Sequence, residues 1–380
     1  MDLVSVVTFA GGLAFFLYGM NVLSSGLERL AGGRLAVILK KLTRKKFVSV
    51  LAGAGITVAV QSSSAVTVML VGLAGSGMIE ASKTVGIIMG SNVGTTLTPW
   101  LLATVGGGGA NTVASLFKPE NFSLALALVG AAMITFSKKS RKKDVGAVMV
   151  AFAVLVTGMK FMSQGASPLA ESDKVSRLMV AFENPFLAVL AGALFTGLIQ
   201  SSAASVGVLQ ALSLTGGVSF AAAIPVIVGQ NIGTCVTSVL SCIGVSRRAK
   251  KVSLIHVIFN VAGGGIFLGA YYILNSLIGF SFASRPVTSF GIAAVHTVFN
   301  LSVTAVLLPL SGLIVKICDR LLPEENEDSS SLHVPDERLL SPPFAAVTEC
   351  FRSVCDMAFL AERAVSEALS ILFDYNEKIT

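Results

Sequence analysis

Charge is scarce in this chain: 13% of its 380 residues are charged, about half the share usual in soluble globular domains. The long apolar stretches carry almost no carboxylates or bases. A soluble fold is therefore excluded. Cysteine is also sparse and shows no paired framework. Cys235 and Cys242 fall in apolar stretches, and Cys318, Cys350 and Cys355 in the charged C-terminal part, so all five read as free thiols. No metal-binding motif and no nucleophile–base pair is present, which leaves nothing for an enzyme to work with. The apolar run after Met1 lacks a basic segment before it and a small-residue cleavage site after it, and reads as a retained first span. What is abundant is apolar side chain, 53% of the residues, with a mean hydropathy of +0.80. Together these make an all-α polytopic membrane protein. The net charge of +7 would suit nucleic acid, but the bases cluster in short loops between apolar runs, where they set membrane orientation instead.

The chain repeats itself. "GAGITVAVQSSSA" from Gly53 matches "GALFTGLIQSSAA" from Gly192, and "GSNVGTT" from Gly90 matches "GQNIGTC" from Gly229, both at a separation of 139 residues. The same offset sets Tyr18–Gly26 on Thr157–Gly165 and Phe122–Phe136 on Val261–Asn275. Residues 1–138 and 139–277 are thus two copies of one unit. An extra span, Val287–Leu310 within 278–320, follows; 321–343 reads as a charged, Ser/Pro-rich linker. Residues 344–380 carry apolar side chains at helical spacing, among them Val347, Phe351, Val354, Ala358, Val365 and Leu369. One amphipathic helix of this kind cannot bury its own face.

Loop charge orients the copies. Lys40–Lys46 is basic and its counterpart Met179–Pro185 is not; Arg247–Lys251 is basic and its counterpart Gly108–Thr112 is not; Lys138–Lys143 is basic and Leu277–Phe282 is neutral. Basic short loops stay in the cytoplasm. Equivalent loops then lie on opposite sides, and the repeats have inverted topology, as in many secondary transporters. This walk puts the N-terminus outside and the C-terminus in the cytoplasm of a multi-pass inner-membrane protein. Gly106–Asn111 falls outside. Phe47–Met78 must enter and leave on one side, and its arms are short for two full crossings, so it reads as a re-entrant helical hairpin with Gln61–Ser64 at its tip. Pro185–Gly217 is its twin from the other side, with Gln200–Ser202 at the tip. Thr84–Val105 and Ala222–Ile243 are single crossings broken by their Gly-Ser-Asn and Gly-Gln-Asn elements.

Four adjacent polar residues inside an apolar run need a purpose, because irregular backbone at membrane depth survives only against protein or a water-filled cavity. A hairpin tip at mid-depth exposes the N–H groups that start its second arm, and a helix N-terminus binds anions. The hydroxyls and amide carbonyls are hard oxygen ligands for small cations. Gln61, Ser62, Ser63, Ser64, Gln200, Ser201 and Ser202 are therefore expected to hold an oxyanion and alkali cations without a fixed charge. Asn92, Thr95, Asn231 and Thr234 complete the coordination, or else mark packing kinks. Thr57, Thr67, Thr196 and Ser205 are weaker candidates. His256 and His296 share the patterns "HVIFN" and "HTVFN"; a proton relay and simple helix-to-helix bonding both fit them.

The doubled Gln-Ser-Ser, followed about 30 residues later by Gly-x-Asn-[Val/Ile]-Gly-Thr, resembles the type II sodium–phosphate cotransporter family over residues 1–315 or so. The resemblance implies a sodium-coupled importer of inorganic phosphate, with both ligands at the hairpin tips, sodium as coupling ion and no organic cofactor. The second copy departs from the pattern: Ala203 stands where Ser64 stands in the first, one hydroxyl fewer. The helix in 344–380 resembles the opening helix of the PhoU-like domain of bacterial members. Residue chemistry alone leaves open a passive anion channel, a sodium-coupled carrier of sulfate or a carboxylate, and a phosphate-sensing signalling protein. The lipid bilayer is the solvent, and a homo-oligomer is compatible with everything in the sequence.

Overall fold

The computed structural model describes residues 3–31, 45–75, 77, 79–104, 119–170, 184–243, 246–323 and 343–373. The inferred loops Gly106–Asn111 and most of 40–46, 179–185 and the linker lie outside them. The described residues form helices joined by turns: α1 Leu3–Ala31, α2 Lys46–Val60, α3 Ser63–Gly75, α4 Ala81–Thr95, α5 Leu97–Ala103, α6 Pro119–Phe136, α7 Ser140–Ala170, α8 Pro185–Ile199, α9 Ser202–Ser213, α10 Phe220–Gly233, α11 Cys235–Leu240, α12 Arg247–Ile278, α13 Ser289–Leu307, α14 Ser311–Leu321 and α15 Pro343–Phe373. Shifted by 139 residues, α2 falls on α8 end for end, and α3, α4 and α5 fall on α9, α10 and α11 within two residues. Among the described residues five stretches, Leu3–Leu27, Ser140–Ala166, Phe220–Leu240, Arg247–Ile278 and Ser289–Leu307, are long and apolar enough to cross a membrane. The 15-residue arms α2 and α8 span only about 22 Å at 1.5 Å per residue, short of a bilayer core of about 30 Å. Large apolar side chains such as Leu128, Leu194, Leu198 and Leu277 face outward, as lipid solvent allows.

Glycine decides how these helices touch. The matched helices α1 and α7 pack antiparallel. A Cβ on Gly12 would strike the backbone of Gly158 and Met162, one on Gly19 that of Ala151 and Leu155, and one on Gly26 the side chain of Val148. Around this seam lie Phe16, Met20, Leu155 and Met159, and Arg29 closes its end on Asp144 at 3.0 Å. The pair α2 and α4 runs parallel, with Gly90 against the Val50 carbonyl and Gly94 against that of Ala54; α8 and α10 repeat this with Gly229 on Val189 and Gly233 on Ala193. Spacing by four is the close-packing pattern of membrane helices. The expected break therefore sits elsewhere than the sequence suggested. Gly90–Thr95 is continuous helix, and the interruption falls at Thr96, as at Thr234 in the second copy; the glycines there admit a neighbour's backbone rather than unwind their own. Gly90→Ala should accordingly destabilise the protein by about 1–3 kcal/mol. Gly55→Ala, whose Cβ would meet nothing within 4 Å, should be neutral or stabilise by up to about 1 kcal/mol. Thermal unfolding in detergent compares the two, and equal effects would refute the close-packing account.

The hairpins, α2–α3 and α8–α9, start from opposite ends of α12. Gly77 and residues 79–82, after the first hairpin, share a cavity with Arg248 and Lys251 near the start of α12. The base of the second is tied to the segment after α12: Phe220 N donates to Arg285 O at 3.1 Å and Val287 N to Val218 O at 2.8 Å. The 32 residues of α12 separate these points by about 48 Å. The extra span is α13, and a further helix, α14, follows it, unforeseen in the sequence. It buries Ser311, Ile314 and Cys318 and exposes Leu313, Ile317 and Leu321. The C-terminal helix is α15; Phe351, Val354, Val365 and Leu369 on it are exposed.

Candidate functional site

Each hairpin turns on a glutamine. Gln61 and Gln200 take φ of 58° and 57°, and among the described residues no others except glycines have positive φ. Each closes its first arm in the left-handed conformation, its N–H bonded to Thr57 O and Thr196 O respectively. Glycine is the usual residue there, and a side chain held in this region costs roughly 1–3 kcal/mol. Two glutamines in one strained conformation at matched positions point to the side chain itself as the reason.

Beyond each glutamine the second arm begins. Ser62 Oγ accepts from Ala65 N at 3.1 Å and Ser201 Oγ from Ala204 N at 3.2 Å, so both serines are N-caps. The first N–H groups of α3 and α9 have no acceptor within their own helices. Both tips line one cavity of about 360 Å³, formed by Leu17, Met20, Asn21, Ser24, Gln61, Ser62, Ser63, Ser64, Thr95, Ile199, Gln200, Ser201, Ser202, Ala203 and Ala204. None of these side chains is charged. Two helix N-termini and a ring of hydroxyls and amides therefore set its electrostatics, a positive potential with oxygen ligands at hand.

The tips are not equivalent. Gln61 Nε2 donates to Val58 O at 2.7 Å, and Gln61 Oε1 accepts from Thr98 Oγ1 at 2.9 Å. The Gln200 amide makes no hydrogen bond among the described residues and is exposed to the cavity. Asn21 and Ser24, both on α1, were missed as lining residues; Ser24 also donates to Val60 O at 2.9 Å. Their signal was polarity within the first apolar run, in the stretch that matches Thr157–Gly165.

The remaining candidates lie outside this cavity. Thr57 Oγ1 donates to Ser91 Oγ at 2.8 Å, Thr196 Oγ1 to Ser205 Oγ at 2.7 Å and Thr67 Oγ1 to Ser63 O at 2.9 Å; Thr234 Oγ1 donates to Asn231 O. Asn92 and Asn231, matched in the two copies, both donate to Asn260 Oδ1, at 2.9 and 3.2 Å. Asn231 Nδ2 also reaches Asn300 Oδ1 at 2.9 Å, and His296 Nε2 lies 3.2 Å from Asn231 Oδ1. That oxygen can only accept, so Nε2 carries the proton. Asn260 and Asn300 in turn donate to the carbonyls of His256 and His296, at 3.0 and 2.8 Å. His256 Nδ1 sits 3.1 Å from Ser238 Oγ. The "H-x-x-x-N" spacing of four thus builds a buried network joining α4, α10, α12 and α13. Asn92 and Asn231 of this network were sequence candidates; Asn260 and Asn300 were not, and their signal was the repeated His-x-x-x-Asn spacing.

A helical protein with two half-length hairpins meeting at an uncharged, hydroxyl-rich cavity has the layout of a carrier, in which substrate is held away from both surfaces. The Na+/Pi-cotransporter family profile matches residues 15–164 and again 154–284, and the chain belongs to that family. It is 26% identical to YqeW of Bacillus subtilis over 84% of this chain and 98% of the relative. It is 24% identical to the putative inorganic phosphate export protein YjbB of Escherichia coli K12, over 90% of this chain and 61% of that protein. Sodium-dependent phosphate transport protein 2A of Rattus norvegicus is 37% identical over 28% of this chain and 17% of its own length. The chain thus spans about three-fifths of YjbB and nearly all of YqeW. No solved structure matches it.

Proposed function

We propose that this protein is a sodium-coupled secondary transporter of inorganic phosphate that binds both ligands between the Gln61–Ser64 and Gln200–Ser202 tips. The observation that carries the reading is the shared cavity: segments 139 residues apart converge on it. Phosphate takes the N–H groups opening α3 and α9, and sodium takes the hydroxyl and amide oxygens, each ion offsetting the other's charge where no fixed charge exists. Thr95 lines the same space; Asn92, Asn231 and Thr234 act one layer out, through the network. The two copies are inverted across the inner membrane, a reading supported by the antiparallel α1–α7 pair and by hairpin bases at opposite ends of α12. The N-terminus then lies outside and the C-terminus in the cytoplasm. An impermeant thiol reagent should reach cysteines placed at Ser82 and Ser284 from opposite faces, in a background lacking native thiols; labelling of both from one face would end the inverted reading.

Reconstituted protein should accumulate radiolabelled phosphate when an inward sodium gradient is applied, and should not when choline replaces sodium. Uptake indifferent to that replacement would refute the coupling. Equilibration without accumulation would indicate a passive channel, and preference for sulfate or a carboxylate would reassign the substrate. A second reading, net export, is favoured by the likeness to YjbB. It requires phosphate-loaded vesicles to lose phosphate against an inward sodium gradient, which a sodium symporter opposes.

A further inference from the structure

Thr98 and Thr237 are matched at the 139-residue offset, as Gln61 and Gln200 are. In the first copy the pair is joined: Thr98 Oγ1 donates to Gln61 Oε1 at 2.9 Å, and Gln61 Nε2 donates to Val58 O at 2.7 Å. In the second copy the same pair stands apart. Thr237 Oγ1 is buried and has no hydrogen-bond partner among the described residues, while Gln200 faces the cavity. A buried hydroxyl without a partner is costly and uncommon in native proteins. The first copy shows which acceptor this one lacks.

The surroundings of the two pairs are alike. Gln61 has φ 58° and ψ 22°, and Gln200 has φ 57° and ψ 23°. Gly94 meets the Ala54 carbonyl and the Thr57 side chain, and Gly233 meets the Ala193 carbonyl and the Thr196 side chain. The short helices that carry the threonines, α5 and α11, therefore leave their hairpins from the same seat. In the second copy α11 lies against the end of α8: a Cβ on Gly197 would be 3.1 Å from Val236 Cγ2, one residue before Thr237. The bond that Gln61 makes is thus prepared for Gln200 and not yet made.

We propose that the two glutamine–threonine pairs are latches, one closed and one open in this structure, and that the protein exchanges them. Thr237 is a positioning residue that donates to Gln200 Oε1 when Thr98 releases Gln61. A latched glutamine has its carbonyl held by the protein; a released one offers its whole amide to the cavity. This exchange rests on the transport reading of that cavity and adds what holds each tip. With inverted copies, closing one latch and opening the other turns the cavity from one face of the membrane to the other. One bond forms as another breaks, which keeps the two states close in free energy, as a reversible cycle requires.

The test uses the full chain without its native thiols and with one cysteine, Asn21→Cys, in the cavity lining on α1. An impermeant thiol reagent is applied to right-side-out and inside-out vesicles in buffer free of sodium and phosphate. The ratio of labelling rates from the two faces then reports the latch equilibrium with no transport taking place. Thr98→Val and Thr237→Val each delete one hydroxyl donor. They should move this ratio about fivefold in opposite directions, the factor that one net hydrogen bond of about 1 kcal/mol supplies. Thr237→Ser keeps the donor and should hold the wild-type ratio. Thermal unfolding gives a second reading: Thr98→Val should unfold below the wild type, and Thr237→Val at or above it, since only an unpartnered hydroxyl is removed. Wild-type protein that shows no sodium-coupled phosphate uptake would sink the substrate assignment and leave these shifts standing. Equal shifts in one direction, no shift, a Thr237→Ser protein that behaves as Thr237→Val, or a Thr237→Val protein that unfolds well below the wild type would overturn the latch exchange.

Discussion

Gln200→Leu should lower the apparent affinity for phosphate roughly 10- to 150-fold while leaving thermal stability close to wild type. The affinity figure follows from the loss of a charge-assisted hydrogen bond, about 1.5–3 kcal/mol. The unchanged stability follows from an amide that bonds nothing else in the described structure. Gln200→Gly sharpens the test. It removes the same amide but relieves the left-handed strain at φ 57°, so it should stabilise by roughly 1 kcal/mol and still lose affinity. Gln61→Leu should lose affinity and also some stability, because the Thr98 hydroxyl and the Val58 carbonyl lose their partner. Ser302→Ala, on α13 and outside the cavity, is the silent control. A well-expressed Gln200→Leu protein with wild-type affinity for both phosphate and sodium would remove the tip from the site.

The second large effect belongs to Asn231. Alanine there strips a partner from Asn260, from Asn300 and from the His296 imidazole, all buried. At roughly 1–3 kcal/mol for each buried polar group left wanting, the expected loss is about 3 kcal/mol or more. Asn92→Ala removes a single bond to Asn260 and should cost about a third as much. If the two variants unfold at the same temperature, Asn231 is not the hub of the network. A hub position also predicts that Asn231→Ala affects phosphate and sodium alike, since it shifts α10 against α12 and α13 rather than deleting a ligand.

The sequence carried the repeat and the hairpins because both are properties of order along the chain. The 139-residue offset is a matter of matching letters, and the short apolar arms around Gln-Ser-Ser set the tips. Helix boundaries at α2 and α8 follow from the same reading. Contacts between distant segments were harder. Nothing local pairs residue 92 with 260 or 231 with 300; packing of four helices decides it. Glycine is ambiguous in the same way. The spacing of Gly86, Gly90 and Gly94 by four was visible, but its meaning as close approach depends on α2 lying alongside. The strain at Gln61 and Gln200 has no sequence signature except that the glutamine recurs. The copies also differ at the tip in what surrounds each amide, since Thr98 engages Gln61 while Gln200 faces the cavity.

That cavity takes one tip from each copy, with a consequence for a chain of half this length. A single copy would own one tip of the cavity and one side of the α1–α7 glycine seam, and under the inverted topology proposed above it could complete either only against a second molecule inserted the other way up. Joining both halves in one polypeptide fixes the partner and the stoichiometry. It also frees the halves to diverge: Ala203 can replace a serine in one tip while Ser64 keeps it in the other, a distinction that no pair of identical subunits could sustain.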